Sequence, residues 1–202
     1  MKVLGGFTGS GKTEILLQLQ KSKIPVIDLE GLANHKGSAF GALGQNEQAS
    51  QEQFENNLAE ELIHISAVHS YFWIEDESQR IGTNMLPITF FKNMRNSICY
   101  FIDIPFDARL QFIVQAYGKF AVADLIAATL RIQKRLGGLE TKTAVNFLVE
   151  NNIEGAFSIL LKYYDKVYLK NIEAAAIPKF KTEKILASEV HSIHNAGLLM
   201  HL

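Results

Sequence analysis

The segment GGFTGSGKT, residues 5–13, constrains the fold of this chain more than any other. From Gly6 to Thr13 it matches the G-x-x-x-x-G-K-[ST] pattern of a P-loop. The apolar residues 2–5 predict a strand before it, and residues 12–21 predict a helix after it. Glycines in this setting let successive backbone N–H groups point at a phosphate, and the helix N-terminus adds partial positive charge. The segment therefore predicts a phosphate-binding loop between the first strand and the first helix.

The P-loop pattern assigns roles to individual residues. Lys12 is expected to reach the outer phosphates, and the Thr13 hydroxyl to bind Mg²⁺. The other predicted phosphate contacts in the loop are Gly6, Thr8, Gly9, Ser10 and Gly11. The pattern does not distinguish ATP or GTP from another diphosphate ester, because all of them offer the same phosphate oxygens.

The rest of the chain alternates between strand and helix patterns. Further strands are predicted at residues 25–29, 71–74, 97–102 and 184–186. Helices are predicted after the capping box at Ser50, from about residue 107 to 164 with a break at residues 137–138, and after a cap at Ser188. This alternation predicts a P-loop NTPase-like α/β fold with a doubly wound, mainly parallel sheet. We expect residues 1–202 to form a single P-loop domain with a helical, lid-like region at about 110–165.

Composition and charge narrow the class of protein further. The chain has 202 residues, 48% of them hydrophobic, and no apolar run long enough to span a bilayer. Its single cysteine, Cys99, lies in an apolar run, which excludes a disulfide framework and predicts a core position in a cytoplasmic protein. The net charge is -1, but residues 1–79 hold 11 acids and 5 bases, whereas residues 80–184 hold 9 acids and 15 bases. The sequence thus predicts either a local basic binding face or ordinary solvated helices of opposite sign.

Two acidic positions follow predicted strands. Glu75 and Asp76 end an apolar run in the usual layout of a Walker B carboxylate, so both are candidate metal ligands, and Glu75 is also a candidate catalytic residue. Asp28 ends the preceding strand and is predicted as a substrate-side catalytic acid. Because Glu75, Asp76 and Glu77 repel one another, a basic partner such as Arg80 is expected nearby, and Arg80 is also a candidate phosphate contact. A solvated acidic turn is the alternative interpretation of this cluster.

Six segments in a fixed order resemble the tRNA 2-selenouridine synthase family. They are GGFTGSGKTEIL, VIDLEGLANHKGSAFGALG, SQEQFENNLAEEL, WIEDESQRIG, KRLGG and LLKYYDKVY, and the resemblance runs from residue 3 to about residue 170. Two positions depart from the family pattern. Lys36 stands where an arginine is commoner. The lysine keeps the positive charge but cannot make the bidentate hydrogen bonds that arginine makes to phosphate. Lys166 follows Asp165 where the family has a Y-D-P turn.

The resemblance implies a particular chemistry. The family replaces the sulfur of wobble 2-thiouridine in tRNA with selenium from selenophosphate, through an S-geranylated intermediate made from geranyl diphosphate. The implied partner is therefore tRNA, with no DNA or membrane partner, and the implied P-loop ligand is geranyl diphosphate, ATP or GTP with Mg²⁺. Family members also carry a rhodanese-like domain with a catalytic cysteine. Since Cys99 has a core setting, we expect that module on another segment or on a partner chain.

The resemblance also suggests a purpose for a second glycine-rich segment, residues 28–44, which forms a loop after the second predicted strand. A loop at this position lies across the ligand cleft from the P-loop. Residues Asn34, Lys36, Gly37 and Ser38 are predicted to bind phosphate or substrate. His35 is predicted as a catalytic acid or base, because its charge changes near neutral pH. A satisfied surface histidine is the alternative.

Basic residues on the predicted helices complete the candidate site. Arg135 precedes a glycine pair that fits a helix C-cap and is predicted as a phosphate clamp, and Arg109 is predicted as a second phosphate contact. The neighbouring Lys119, Arg131, Lys134 and Lys142 are candidates for the tRNA backbone. Three functions stay open: the P-loop part of a tRNA 2-selenouridine synthase, a small-molecule or nucleoside kinase, and a non-catalytic diphosphate- and RNA-binding module.

Overall fold

The computed structural model describes residues 1–173 and 181–202. The strands are β1 (Lys2–Gly5), β2 (Trp73–Glu75), β3 (Arg80–Ile81), β4 (Asn84–Met85), β5 (Ile98–Asp103) and β6 (Lys181–Leu186). The helices are α1 (Lys12–Lys21), α2 (Leu29–Ala33), α3 (Gln51–Val68), α4 (Ile88–Arg95), α5 (Phe106–Tyr117), α6 (Val122–Arg131), α7 (Gln133–Leu136), α8 (Gly138–Val149), α9 (Ile153–Glu173) and α10 (Ser192–Leu199).

The central sheet is parallel and has the order β2-β1-β5-β6. Strand β1 lies between β2 and β5, with Lys2 opposite both Trp73 and Ile98. Strand β6 pairs with the far side of β5, from Ile98 opposite Lys181 onwards. The chain leaves β1 towards one edge and later returns to build the other edge, so the carboxyl end of β1 is the switch point where such sheets bind ligands. The predicted P-loop NTPase-like α/β fold is confirmed.

The predicted strand at residues 25–29 is much shorter in the structure. Val26 forms a single parallel bridge with Trp73, and the Trp73 N–H donates to the Pro25 carbonyl at 2.9 Å. The chain then turns into α2, because the Asp28 side chain accepts the Gly31 N–H at 2.8 Å and caps the helix. A capping carboxylate thus ends the strand earlier than its apolar run predicts.

Three other elements differ from the prediction. The end of the EDESQRIG segment, β3, pairs with the following β4 in an antiparallel hairpin that the sequence pattern did not indicate. Strand β6 begins at Lys181, upstream of the predicted start. Helix α10 begins at Ser192 and is capped by His191, whose Nδ1 accepts the His194 N–H at 3.2 Å, so Ser188 is not its cap.

The core lies on both faces of the sheet and extends into the helical region. On one face Val3 and Ile74 pack with Phe54 of α3, and on the other Leu4 packs with Leu16 of α1. Cys99 is 1% exposed, as predicted, and burial raises the pKa of its thiol. Helices α5 to α9 enclose a third apolar cluster. No helix among the described residues is long and apolar enough to cross a membrane.

Helix α9 is the longest element and runs without interruption past Asp165 and Lys166. The family pattern predicts a turn at this point, but a proline is what stops a helix there, and lysine is a good helix former. Asp165 and Tyr168 therefore lie one turn apart on the same face of α9. Both reach the switch point of the sheet, as described below.

Candidate ligand cavity at the P-loop

The P-loop closes tightly around its glycines. Gly9 and Gly11 adopt positive φ angles of 82° and 71°, which glycine tolerates best. A Cβ on Gly9 would lie 2.8 Å from Ile113 Cγ1 on α5, so the loop also needs a residue without a side chain there. The Lys12 ammonium donates to the Gly6 carbonyl at 3.1 Å and lies across the loop. Gly6, Thr8, Gly9, Ser10, Gly11, Lys12 and Thr13 all line one cavity.

Arg109 stabilises the P-loop without lining the cavity. Its guanidinium makes a bidentate ion pair with Asp165 of α9, at 2.8 and 3.0 Å, and donates to the Thr8 carbonyl at 2.9 Å. It also donates to the Ile104 carbonyl, and the residue is 3% exposed. These contacts use the guanidinium, and Arg109 does not line the cavity. The prediction that Arg109 contacts a phosphate is therefore corrected: Arg109 stabilises the conformation of the P-loop.

A chain of hydrogen bonds ties the P-loop to two carboxylates. The Thr13 hydroxyl donates to Glu30 Oε2 at 2.7 Å, and the Glu30 backbone N–H donates to Glu75 Oε1 at 2.7 Å. Glu75 is fully buried, and its pKa is raised by loss of solvation and by the charges of Asp28 and Glu30. Glu30, which lines the cavity beside Thr13, was not among the predicted residues. Asp28 instead caps α2 and does not line the cavity, whereas Glu30, two residues later, does.

Asp76 is held by two long-range partners. Its Oδ1 accepts from Arg95 at 2.8 Å, and its Oδ2 accepts the Tyr168 hydroxyl at 2.7 Å. Burial raises the Asp76 pKa, while Arg95 and Tyr168 act to lower it. With both oxygens engaged, Asp76 is a poorer metal ligand than predicted. The basic partner of the acidic cluster is therefore Arg95 and not the predicted Arg80. Arg80 is exposed, and its Nε donates to the Gly82 carbonyl at 2.9 Å.

Glu77 brings the second glycine-rich loop close to the P-loop. Gly37 has a φ of 65°, and a Cβ on it would lie 2.5 Å from Glu77 Oε2. Burial and the nearby Glu30 charge raise the pKa of Glu77 to about 8. Among the described residues, no group of three or more His, Cys, Asp or Glu side chains is arranged to hold a metal. The Thr13 hydroxyl and the Glu30 carboxylate form the oxygen pair that best fits a phosphate-bound Mg²⁺.

The glycine-rich loop forms the opposite wall, but only part of it faces the cavity. Lys36, Gly37 and Ser38, which are predicted to contact phosphate or substrate, line the cavity. Asn34 adopts a left-handed φ of 47° at the end of α2 and donates to the Glu47 carbonyl at 3.2 Å, which makes it a structural residue. His35 packs against Gly41 and does not line the cavity, so its predicted catalytic position is not supported. Loss of solvation, with a smaller effect of Arg131, lowers the pKa of His35.

The cavity has a volume of about 630 Å³, and polar and apolar groups both line it. The P-loop, Glu30 and Glu77 contribute polar groups. Helices α5 and α9 contribute most of the apolar lining, and its larger side chains are Phe112, Ile113, Tyr117, Phe157, Leu160 and Tyr164. Burial raises the pKa of Tyr117 and Tyr164 to about 12, so both stay neutral phenols at neutral pH. Arg135 of α7 lines the same cavity, consistent with its predicted position.

The sheet order, the P-loop and the ligand cavity at the switch point define a P-loop NTPase-like α/β protein. The family model described as "tRNA 2-selenouridine synthase AAA domain" matches residues 1–190. The chain belongs to the tRNA 2-selenouridine synthase family.

Similarity to curated relatives covers most of the chain. It is 36% identical to the tRNA 2-selenouridine synthase of Shewanella frigidimarina over 85% of this chain and 54% of that protein. It is 32% identical to the enzyme of the same name from Shewanella pealeana over 100% of this chain and 60% of that protein. The chain thus spans between half and two thirds of the length of these relatives. A gluconokinase from Sinorhizobium meliloti aligns over 84% of this chain and 95% of its own with 13% identity, and its TM-score of 0.29 is too low to support an argument.

Proposed function

We propose that this chain binds geranyl diphosphate and transfers the geranyl group to 2-thiouridine of a tRNA, as the first half of sulfur-to-selenium exchange. The observation that carries the proposal is the mixed lining of the cavity. A diphosphate fits the P-loop, and a prenyl tail fits the aromatic and aliphatic side chains contributed by α5 and α9. A nucleoside triphosphate would place a polar ribose and base against the same side chains, so the prenyl diphosphate matches them better.

The polar groups that line the cavity contribute to the transfer of the geranyl group. The C–O bond between geranyl C1 and the diphosphate breaks, and a C–S bond forms to the sulfur of 2-thiouridine. Lys12, the P-loop amides and Arg135 stabilise the charge of the departing diphosphate. Mg²⁺, held by Thr13 and Glu30, would neutralise part of that charge. The N3 proton of the base is released in this step, and the Glu30 carboxylate is an acceptor in the same cavity.

The selenophosphate step is assigned to a different cysteine. Cys99 is the single cysteine of this chain, and its 1% exposure and raised thiol pKa exclude it as a nucleophile. A rhodanese domain or a partner chain would supply that group. Since the proposed substrate is tRNA, we place the protein in the cytoplasm.

The test is a calorimetric comparison of geranyl diphosphate, ATP and GTP. Geranyl diphosphate should bind most tightly, and Lys12→Ala should abolish its binding with an unchanged circular dichroism spectrum. Lys21→Ala, at the exposed end of α1, is the matched control. Incubation with 2-thiouridine tRNA and geranyl diphosphate should give S-geranylated nucleoside by mass spectrometry. Tighter binding of ATP or GTP, with no geranylated nucleoside formed, would refute the proposal.

A further inference from the structure

A second concave site lies on the helical region, next to the ligand cavity. Helices α6, α7 and α8 line a shallow, open groove of about 420 Å³. We call it the helical groove, and its lining includes Leu130, Gln133, Lys134, Thr141, Lys142 and Asn146. The lining therefore combines two ammonium groups with neutral hydrogen-bonding side chains over an apolar floor. The P-loop and the glycine-rich loop do not contribute to it.

The charge around the helical groove is positive, although that of the whole chain is not. Residues 119–142 contain five basic and two acidic residues, whereas the net charge of the chain is -1. Lys134 and Lys142 are both exposed, and within the part of the chain that the structure describes neither forms an ion pair. Ammonium groups gathered in a concave surface attract a phosphodiester backbone. Gln133 and Asn146 offer amides that hydrogen-bond phosphate or ribose oxygens.

The basic surface continues from the helical groove to the ligand cavity. Neighbouring residues of the single turn α7 point to different sites, with Lys134 in the groove and Arg135 in the cavity wall. Arg131, at the end of α6, lies close enough to the glycine-rich loop for its charge to help lower the pKa of His35. A polyanion bound in the groove would therefore meet a run of cations that ends at the cavity.

We propose that the helical groove binds the phosphodiester backbone of tRNA and that α7 directs the target nucleotide towards the ligand cavity. This inference rests on the proposed function, because it locates the RNA partner of the same site. Gln133, Thr141 and Asn146 would contact the backbone by hydrogen bonds, and Lys134 and Lys142 by charge. Such contacts position an RNA without reading its sequence.

The experiment measures binding of unfractionated bacterial tRNA at several salt concentrations. The variant Lys134→Gln/Lys142→Gln should bind more weakly and should lower the slope of log K against log salt by about 2, one per lysine. The control Lys21→Gln/Lys92→Gln removes two exposed lysines of α1 and α4 and should keep the wild-type slope. Acetylation footprinting of the wild-type protein should show tRNA protecting Lys134 and Lys142, but not the control lysines.

The outcomes separate this inference from the proposed function. If wild-type protein binds tRNA and the groove variant keeps its affinity and slope, the groove is not the RNA site and the proposed function stands. Equal losses in the groove and control variants would also overturn the groove, since they would reflect net charge alone. If wild-type protein binds geranyl diphosphate but not tRNA, both the proposed tRNA site in the helical groove and the proposed action of this chain on tRNA are overturned. Neither variant is expected to change geranyl diphosphate affinity.

Discussion

Removing one partner of the Arg109–Asp165 ion pair should destabilise the fold strongly, and Asp165→Asn tests this expectation. The Arg109 side chain is 4% exposed and that of Asp165 is 19% exposed. Removing one partner of a buried pair leaves an uncompensated charge and typically costs about 3–5 kcal/mol. Arg109 keeps the Thr8 and Ile104 carbonyls, so we expect the lower end, about 3 kcal/mol. In a chain of this length that corresponds to a fall in Tm of about 6–12 °C.

The matched control is Asp103→Asn, which removes the partner of Lys184. That pair has a similar N–O distance of 2.6 Å, but the Lys184 side chain is 60% exposed. An exposed pair contributes about 0–1 kcal/mol, so Tm should fall by less than about 4 °C. The double variant Arg109→Met/Asp165→Leu should recover part of the loss, because it leaves no buried charge. Urea and thermal denaturation by circular dichroism measure all three, and equal losses in Asp165→Asn and Asp103→Asn would refute the reasoning.

Three further predictions concern the glycine-rich loop and its neighbour. Lys36→Ala should weaken geranyl diphosphate binding by about 1.5–3 kcal/mol with an unchanged Tm. His35→Ala should lower Tm with little effect on affinity. The reverse pattern in calorimetry and melting curves would contradict the placement of the two residues. Gly37→Ala should reduce both affinity and Tm, because its φ of 65° is strained for alanine and the added Cβ meets Glu77; wild-type values would exclude that close approach. The raised pKa of Glu77 contributes stability that is present below its unfolded-state value and is lost as pH rises through about 8. Denaturation of the ligand-free protein should therefore show a stability decline over this range that Glu77→Gln reduces, and an identical pH profile in the variant would disprove the assignment.

Residues close in sequence were predicted well. The P-loop lies within eight consecutive residues, and glycine conformations together with the helix N-terminus determine its shape locally. The apolar runs that became β1, β2 and β5 were recognisable for the same reason, since strands buried on both faces are nearly continuous in hydrophobic residues. The core position of Cys99 followed from one such run.

Residues whose role depends on partners far along the chain were predicted poorly. Arg109 appeared as a phosphate ligand because a basic residue near a P-loop usually is one, yet Asp165, 56 positions away, holds it behind the loop. Arg80 is the nearest base to the acidic cluster in sequence, but the packing of α4 brings Arg95 to Asp76 instead. Asp28 was predicted to face the substrate, but it caps α2, and Glu30 is the carboxylate that reaches Thr13.

The sequence alone determined the class of fold, the phosphate-binding loop and the family, because these depend on local backbone geometry and on the order of segments. Only the tertiary structure decided which side chains face the ligand. Packing brings the buried charges of Arg109 and Asp76 to Asp165 and Arg95, which lie on elements distant in the chain. The aromatic and aliphatic lining that α5 and α9 add to the cavity is likewise a consequence of how those helices pack. The proposed preference for a prenyl diphosphate over a nucleotide rests on this lining.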